Sequence, residues 1–217
     1  MTEGRYSAHG IEAEFEPGSR GRVLRNKLGI VRVREMQQAE SDALLAVHEW
    51  AAGHFNTRHR FTTQDICRLH RQWLGDIYAW AGEFRHINLS KDGFLFASAD
   101  QVPRLMAAFE HQELAQETPC AGMAEPQLVK ALARTHSELL LIHPFREGNG
   151  RCARLLAWLM ALQAGLPALE FSPLARRGKP AYIAAVHAAM DGDYAAMEQC
   201  FSRVIRQTWR IYGGRRV

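Results

Sequence analysis

Apolar residues recur every three to four positions along most of this chain, and that spacing admits few folds other than a helical bundle. Met36, Ala39, Ala43, Val47 and Trp50 mark a first stripe, and Ile66, Leu69, Trp73, Ile77 and Trp80 a second. Thr62 or Thr63 is placed to cap the second helix. Val102, Leu105 and Phe109 predict a third helix. Leu128, Leu132, Thr135, Leu139 and Ile142 predict a fourth, opening just before Pro126. A fifth follows Gly150 on Leu155, Leu159 and Leu162 and stops at Gly165-Leu166-Pro167. Tyr182, Val186 and Met190 predict a sixth, and Tyr194, Met197, Phe201, Val204, Thr208 and Ile211 a seventh. The expected fold class is all-α.

One stretch departs from that period. Ile87 and Leu89, then Phe94 and Phe96, alternate on either side of Lys91-Asp92-Gly93. Asp-Gly between two alternating runs predicts a β-hairpin. A lone hairpin is marginal in water, so this one leans on the helices or receives a partner strand.

Composition narrows the class further. With 217 residues, 47% of them hydrophobic and 23% charged, the chain has the balance of a soluble globular protein and not of a disordered one. Its four cysteines, at 67, 120, 152 and 200, form no CxxC pair and read as reduced thiols. The first twenty residues hold no apolar run, and no stretch approaches the ~18 apolar residues of a membrane span. A cytoplasmic protein is expected, with export as an effector left open. The net charge of +4 is too small to imply a nucleic-acid partner. Arg20, Arg22, Arg25, Lys27, Arg32 and Arg34 near one end, and Arg203, Arg206, Arg210, Arg215 and Arg216 at the other, read as solvated charge.

The run that carries chemistry is His143-Pro144-Phe145-Arg146-Glu147-Gly148-Asn149-Gly150-Arg151-Cys152-Ala153-Arg154, between the fourth and fifth helices. Pro144 stops the helix before it. Gly148 and Gly150 allow positive φ and close approach of the backbone to a ligand. The N–H groups opening the next helix form an anion site, and Arg151 and Arg154, three apart, suit phosphate oxygens. Glu147 beside such a site could hold Mg²⁺, and His143 could accept a proton near neutral pH. Base, metal carboxylate, anion loop and paired arginines together read as phosphoryl or nucleotidyl transfer.

The run HPFREGNGRCAR also resembles the signature of the Fic family, HxFx(D/E)GNGRxxR, at every fixed position. The likeness extends upstream from Leu69-His70 to Trp80-Ala81-Gly82-Glu83-Phe84-Arg85, and residues 86–97 fall where Fic proteins carry a flap. The resemblance implies a Fic-type helical bundle with a small hairpin flap. It places an N-terminal basic extension at 1–35, a Fic domain at 36–212 with its core at 60–165, and a basic tail at 213–217. It implies a Mg²⁺-dependent protein adenylyltransferase that moves AMP from ATP to a Tyr, Thr or Ser hydroxyl and releases pyrophosphate. His143 would take the hydroxyl proton, and Glu147 would hold Mg²⁺. Gly148, Asn149 and Gly150 would form the anion hole, Arg151 and Arg154 would bind the distal phosphates, and Phe145 would anchor the loop. Ile87, Asn88, Leu89 and Phe94 of the flap would dock a target protein by strand addition.

Relatives that phosphorylate carry alanine and lysine where this chain has Gly148 and Gly150, which points to ATP in the AMP-transferring orientation. Another nucleotide or a phosphocholine donor is the alternative within the family. The family's inhibitory pattern (S/T)xxxE(G/N) is missing, since no Ser or Thr has Glu four positions on. Control is therefore expected to be absent or to come from a separate, small antitoxin-like protein, with a degenerate inhibitory helix at either end as the alternative, and a homodimer is open. Two readings from other classes compete. His136, His143 and Glu147 could ligate a transition metal, but Pro144 and Gly148 interrupt the helix before Glu147 and a third nitrogen or sulfur ligand is lacking. A non-catalytic binding module is the other; a dead copy would usually lose His143 or Glu147, and both are present.

Overall fold

The computed structural model describes residues 7–8, 14–91 and 93–213. Asp92 of the expected turn and Arg215 and Arg216 of the tail lie outside the described residues. The helices are α1 (Val33–His54), α2 (Thr63–Leu74), α3 (Val102–Phe109), α4 (Ala115–Glu117), α5 (Glu125–Ile142), α6 (Asn149–Gln163), α7 (Lys179–Ala188) and α8 (Ala195–Tyr212). The all-α expectation holds. No helix among the described residues is long and apolar enough to cross a membrane.

Thr62, and not Thr63, caps α2. Its hydroxyl accepts the Asp65 N–H at 3.2 Å while the Asp65 carboxylate accepts the Thr62 N–H at 3.0 Å, a reciprocal capping box. The helix buries Ile66, Leu69, His70, Trp73 and Leu74 and then stops. The apolar stripe had predicted continuation to Trp80, and this is a correction. Gly75 follows Leu74, and the side chain and backbone N–H of Lys27 bind the Gly75 and Ile77 carbonyls at 2.6 and 2.8 Å. Those carbonyls find partners outside a helix, so Ile77 and Tyr78 are buried as a turn.

The expected hairpin forms with shorter strands than the alternating runs suggested, and it gains a third strand. Strands β2 (Leu89–Lys91) and β3 (Phe94–Leu95) pair antiparallel, and β1 (Ser7–Ala8) pairs antiparallel with β2, Ser7 opposite Ser90 and Ala8 opposite Leu89. The strand order is β1-β2-β3, so β2 is central. The partner strand that a marginal hairpin requires comes from this chain's own N-terminal segment.

By compactness the chain divides into two units. The first comprises residues 1–54, 62–108 and 142–152; the second comprises 55–61, 109–141 and 153–217. In the first, α1 packs on α2, and the buried side chains include Val47, Leu69, Trp73, Tyr78, Leu89, Met106 and Phe145. In the second, α7 packs on α8, and Leu128, Leu132, Leu159, Met197, Phe201 and Val204 are buried.

Candidate active site

Most of the motif lies in the first unit, where α5 gives out. Ile142 is the last helical residue, and His143 takes the left-handed conformation at φ 53. That reverses the chain into Pro144, which has no N–H to continue the helix. The His143 ring is buried, and it stacks face to face on Phe96 with ring centroids 3.6 Å apart and planes at 17°. Phe96, just past β3, was noted in the sequence only as part of the alternating run.

Phe145 fixes the loop from beneath. Its ring is fully buried and stacks on His70 at 3.8 Å and 9°. The Asn149 side chain closes the loop over it, Oδ1 accepting the Phe145 N–H at 2.8 Å and Nδ2 donating to the Phe145 carbonyl at 2.7 Å. Any part Asn149 takes in an anion site therefore falls to its main chain. Helix α6 opens at Asn149, two residues before the expected start after Gly150, and the Gly148 carbonyl accepts the Cys152 N–H at 2.9 Å. The N–H groups of Asn149 and Gly150 thus sit in the first turn, at the positive end of the helix.

His70 holds the same loop by its backbone. Its Nδ1 accepts the Gly82 N–H at 2.9 Å, so the proton is on Nε2, which donates to the Glu147 carbonyl at 3.0 Å. Burial pushes the His70 pKa down to about 4, against the partial support of the Glu147 carbonyl. The ring is neutral at pH 7, as that hydrogen-bond pattern requires.

Glu147 and Arg151 carry the local charge. Glu147 is buried; its Oε1 accepts the Gly148 N–H at 3.0 Å and lies 3.5 Å from the Arg151 guanidinium. Arg151 makes a closer ion pair, 2.7 Å, with Glu40 of α1, and its guanidinium lies over the Trp73 ring at 4.5 Å. Glu40 escaped the sequence analysis. The available signal was its register: the residues α1 buries are Met36, Glu40, Val47 and Ala51, a carboxylate on the apolar face. Arg154, one turn further along α6, belongs to the second unit. There it hydrogen-bonds the Tyr182 hydroxyl, which lies 2.8 Å from His136 Nε2. Burial first, and then the Arg154 charge, push the His136 pKa down to about 3. His136 is therefore engaged with a phenol.

Gly148 answers to two constraints at once. Its φ is 86, and a Cβ there would meet Trp73 Cζ3 at 2.6 Å. Gly148→Ala is expected to lose about 2–4 kcal/mol of stability from left-handed strain and overpacking together. A urea titration that leaves the midpoint unchanged would refute this.

Of the flap residues, Ile87 and Leu89 are buried, Phe94 is half-buried, and Asn88 is exposed with its Oδ1 accepting the Ala99 N–H at 2.9 Å. Ile87 and Leu89 thus anchor the flap inward, while Asn88 and Phe94 keep exposed surface. With β1 on one side of β2 and β3 on the other, the outer strands of the sheet among the described residues are β1 and β3.

A single buried carboxylate is a sparse metal site, and among the described residues no group of three or more His, Cys, Asp or Glu side chains could hold a metal. Mg²⁺ keeps several waters and takes one or two carboxylates plus phosphate oxygens, so Glu147 fits that ion once phosphates are present.

Comparison with known proteins agrees with this arrangement. Over 143 residues the chain is 31% identical to the protein adenylyltransferase VbhT of Bartonella schoenbuchensis, covering 66% of this chain and 30% of that protein. It is 29% identical over 187 residues to a Fic protein of Salmonella typhimurium, covering 85% of this chain and 88% of that one. The fold matches the BepC effector protein of Bartonella tribocorum, solved with bound AMPPNP, at a TM-score of 0.67 and 21% identity, over 83% of this chain and 91% of that one. Residues 60–161, which hold α2, the flap and the whole motif, match the model of the Fic/DOC family, and this segment of the chain is a Fic domain.

Proposed function

We propose that this protein is a protein adenylyltransferase using ATP and Mg²⁺. The observation that carries the reading is the motif loop itself: His143, Glu147 and the opening N–H groups of α6 are fixed on one short, buried segment, clamped by His70, Asn149 and Arg85. The names of curated relatives support it.

In this reading a target hydroxyl meets His143, whose imidazole accepts its proton as the oxygen attacks the α-phosphorus of ATP. A P–O bond forms to the target, and the bond between the α-phosphorus and the bridging oxygen breaks. Pyrophosphate leaves with that electron pair. The main chain at Gly148, Asn149 and Gly150 faces the developing charge, and Arg151 and Arg154 serve the distal phosphates. Mg²⁺, held by Glu147, would neutralise the leaving pyrophosphate. The target segment adds as a strand to the flap, at the β3 edge or in place of β1.

The test is incubation with α-labelled ATP and Mg²⁺ in cell lysate, beside His143→Ala. Label on a protein band is expected with the intact protein. The variant should lose roughly 10²–10⁴-fold, the usual contribution of a general base. The fold should persist, because the Arg85 bond at this position goes to the His143 carbonyl, with a melting temperature lowered by the loss of the buried ring's stack on Phe96. Label that persists undiminished in the variant would refute the role of His143. Transfer only from another nucleotide would move the reading to that donor.

A further inference from the structure

Arg151 stands between two carboxylates, and the closer one is not in the motif. Glu40 Oε2 lies 2.7 Å from the Arg151 guanidinium, against 3.5 Å for Glu147. Glu40 is buried and held in place from two directions. Its Oε1 accepts the Tyr78 hydroxyl at 2.8 Å, and its backbone carbonyl accepts Trp73 Nε1 at 2.9 Å. Trp73 in turn supplies the ring beneath the guanidinium. Burial, and then the Glu40 carboxylate, push the Tyr78 phenol far above its ordinary range, so it remains a donor to Glu40.

The competition between the two carboxylates has a consequence for Glu147. A guanidinium free to choose would close on the nearest unneutralised carboxylate with a bidentate pair. If Arg151 closed on Glu147, the charges would cancel and Glu147 would be lost to a cation. With Glu40 present, the guanidinium is drawn closer to Glu40 than to Glu147 and kept over the Trp73 ring.

We propose that Glu40 is a positioning residue: it holds Arg151 over Trp73, 2.7 Å from itself and no nearer than 3.5 Å to Glu147, so that the guanidinium does not close on Glu147 and that carboxylate can meet a cation carried by phosphates. The proposal rests on the reading of the motif loop as an ATP phosphate site. Its reach is limited to the phosphate end of the ligand, because none of these contacts involves a site for the base or sugar.

Calorimetric titration of ATP in Mg²⁺ buffer, and separately of adenosine, tests it on the wild type, Glu40→Gln and Glu40→Asp. The glutamine keeps an acceptor for Tyr78 and removes the charge. Its ATP affinity is expected to fall about tenfold, the scale of an outer-shell change around a charged site, with adenosine affinity unchanged. Glu40→Asp, with the charge kept and the chain one methylene shorter, should fall between and decides the matter should the glutamine variant fail to fold. In an Arg151→Ala background, Glu40→Gln should cause no further loss. Unchanged ATP affinity, an equal loss for adenosine, or the same loss without Arg151 would each overturn the proposal. A wild type that binds no ATP would instead overturn the reading beneath it.

Discussion

Arg85→Met is expected to cost about 3–5 kcal/mol of stability, the sum for a few buried carbonyls that lose a charged donor. Arg85 is fully buried. Its Nε donates to the His143 carbonyl at 2.7 Å, one terminal nitrogen donates to Ile87 at 2.7 Å, and the other donates to the carbonyls of Ala97 and Ile142. Its own N–H donates to the Pro144 carbonyl at 2.9 Å. One guanidinium thus ties the last helical residue before the motif, the proposed base, and both stems of the flap. Methionine fills most of the volume but leaves four carbonyls without this donor, at about 1–3 kcal/mol for each that water cannot reach. The carbonyls also give the cation its negative surroundings, because unpaired C=O groups at a helix end carry partial charge.

Arg85→Lys separates charge from geometry. Lysine keeps the charge but offers its donors from a single point, where arginine presents a planar fork. It should recover less than half of the loss. Urea unfolding measures both variants, and a shift below about 1 kcal/mol for Arg85→Met would contradict this account. A full recovery by lysine would mean that charge alone matters here.

Arg85 also shows what a sequence conceals. It was visible as the end of a Trp-Ala-Gly-Glu-Phe-Arg run, but nothing local to residue 85 says that its partners lie at 142, 143 and 97. Glu40 and Arg151 pose the same difficulty across more than a hundred residues. Periodicity reports which face is buried, so it located the helices well. It does not report whether the backbone is helical, so the stripe through Ile77 and Trp80 ran past the true end of α2 at Leu74. The pairing of Ser7 and Ala8 with the hairpin could not be read locally either, because a two-residue strand has no period. The motif loop was legible for a different reason: its glycines, proline and charges are adjacent in the chain, so spacing alone brings them together. Even there, the Asn149 side chain is committed to the Phe145 backbone, and only coordinates distinguish that from a ligand contact.

Acid should destabilise this protein well before its carboxylates titrate. His70 and His136 are buried and neutral, with pKa values pushed down to about 4 and about 3 from an ordinary 6.5. Above pH 6.5 neither the folded nor the unfolded form carries these protons, and their contribution is complete. As the pH falls below 6.5 the unfolded chain binds protons that the folded one refuses, so stability drops until the folded pKa is reached. For His70 the full window is worth on the order of 3 kcal/mol. The proton has a definite structural cost. It would convert Nδ1 from the acceptor of the Gly82 N–H into a second donor facing it, beneath the loop that carries Glu147. Urea midpoints at pH 7, 6 and 5 should therefore decline steadily in the wild type. In His70→Gln, which keeps one donor and one acceptor but cannot titrate, the decline should be visibly shallower. Parallel slopes in the two proteins would show that His70 takes up its proton equally in the folded and unfolded forms, and its assignment as the neutral support of the motif loop would fail.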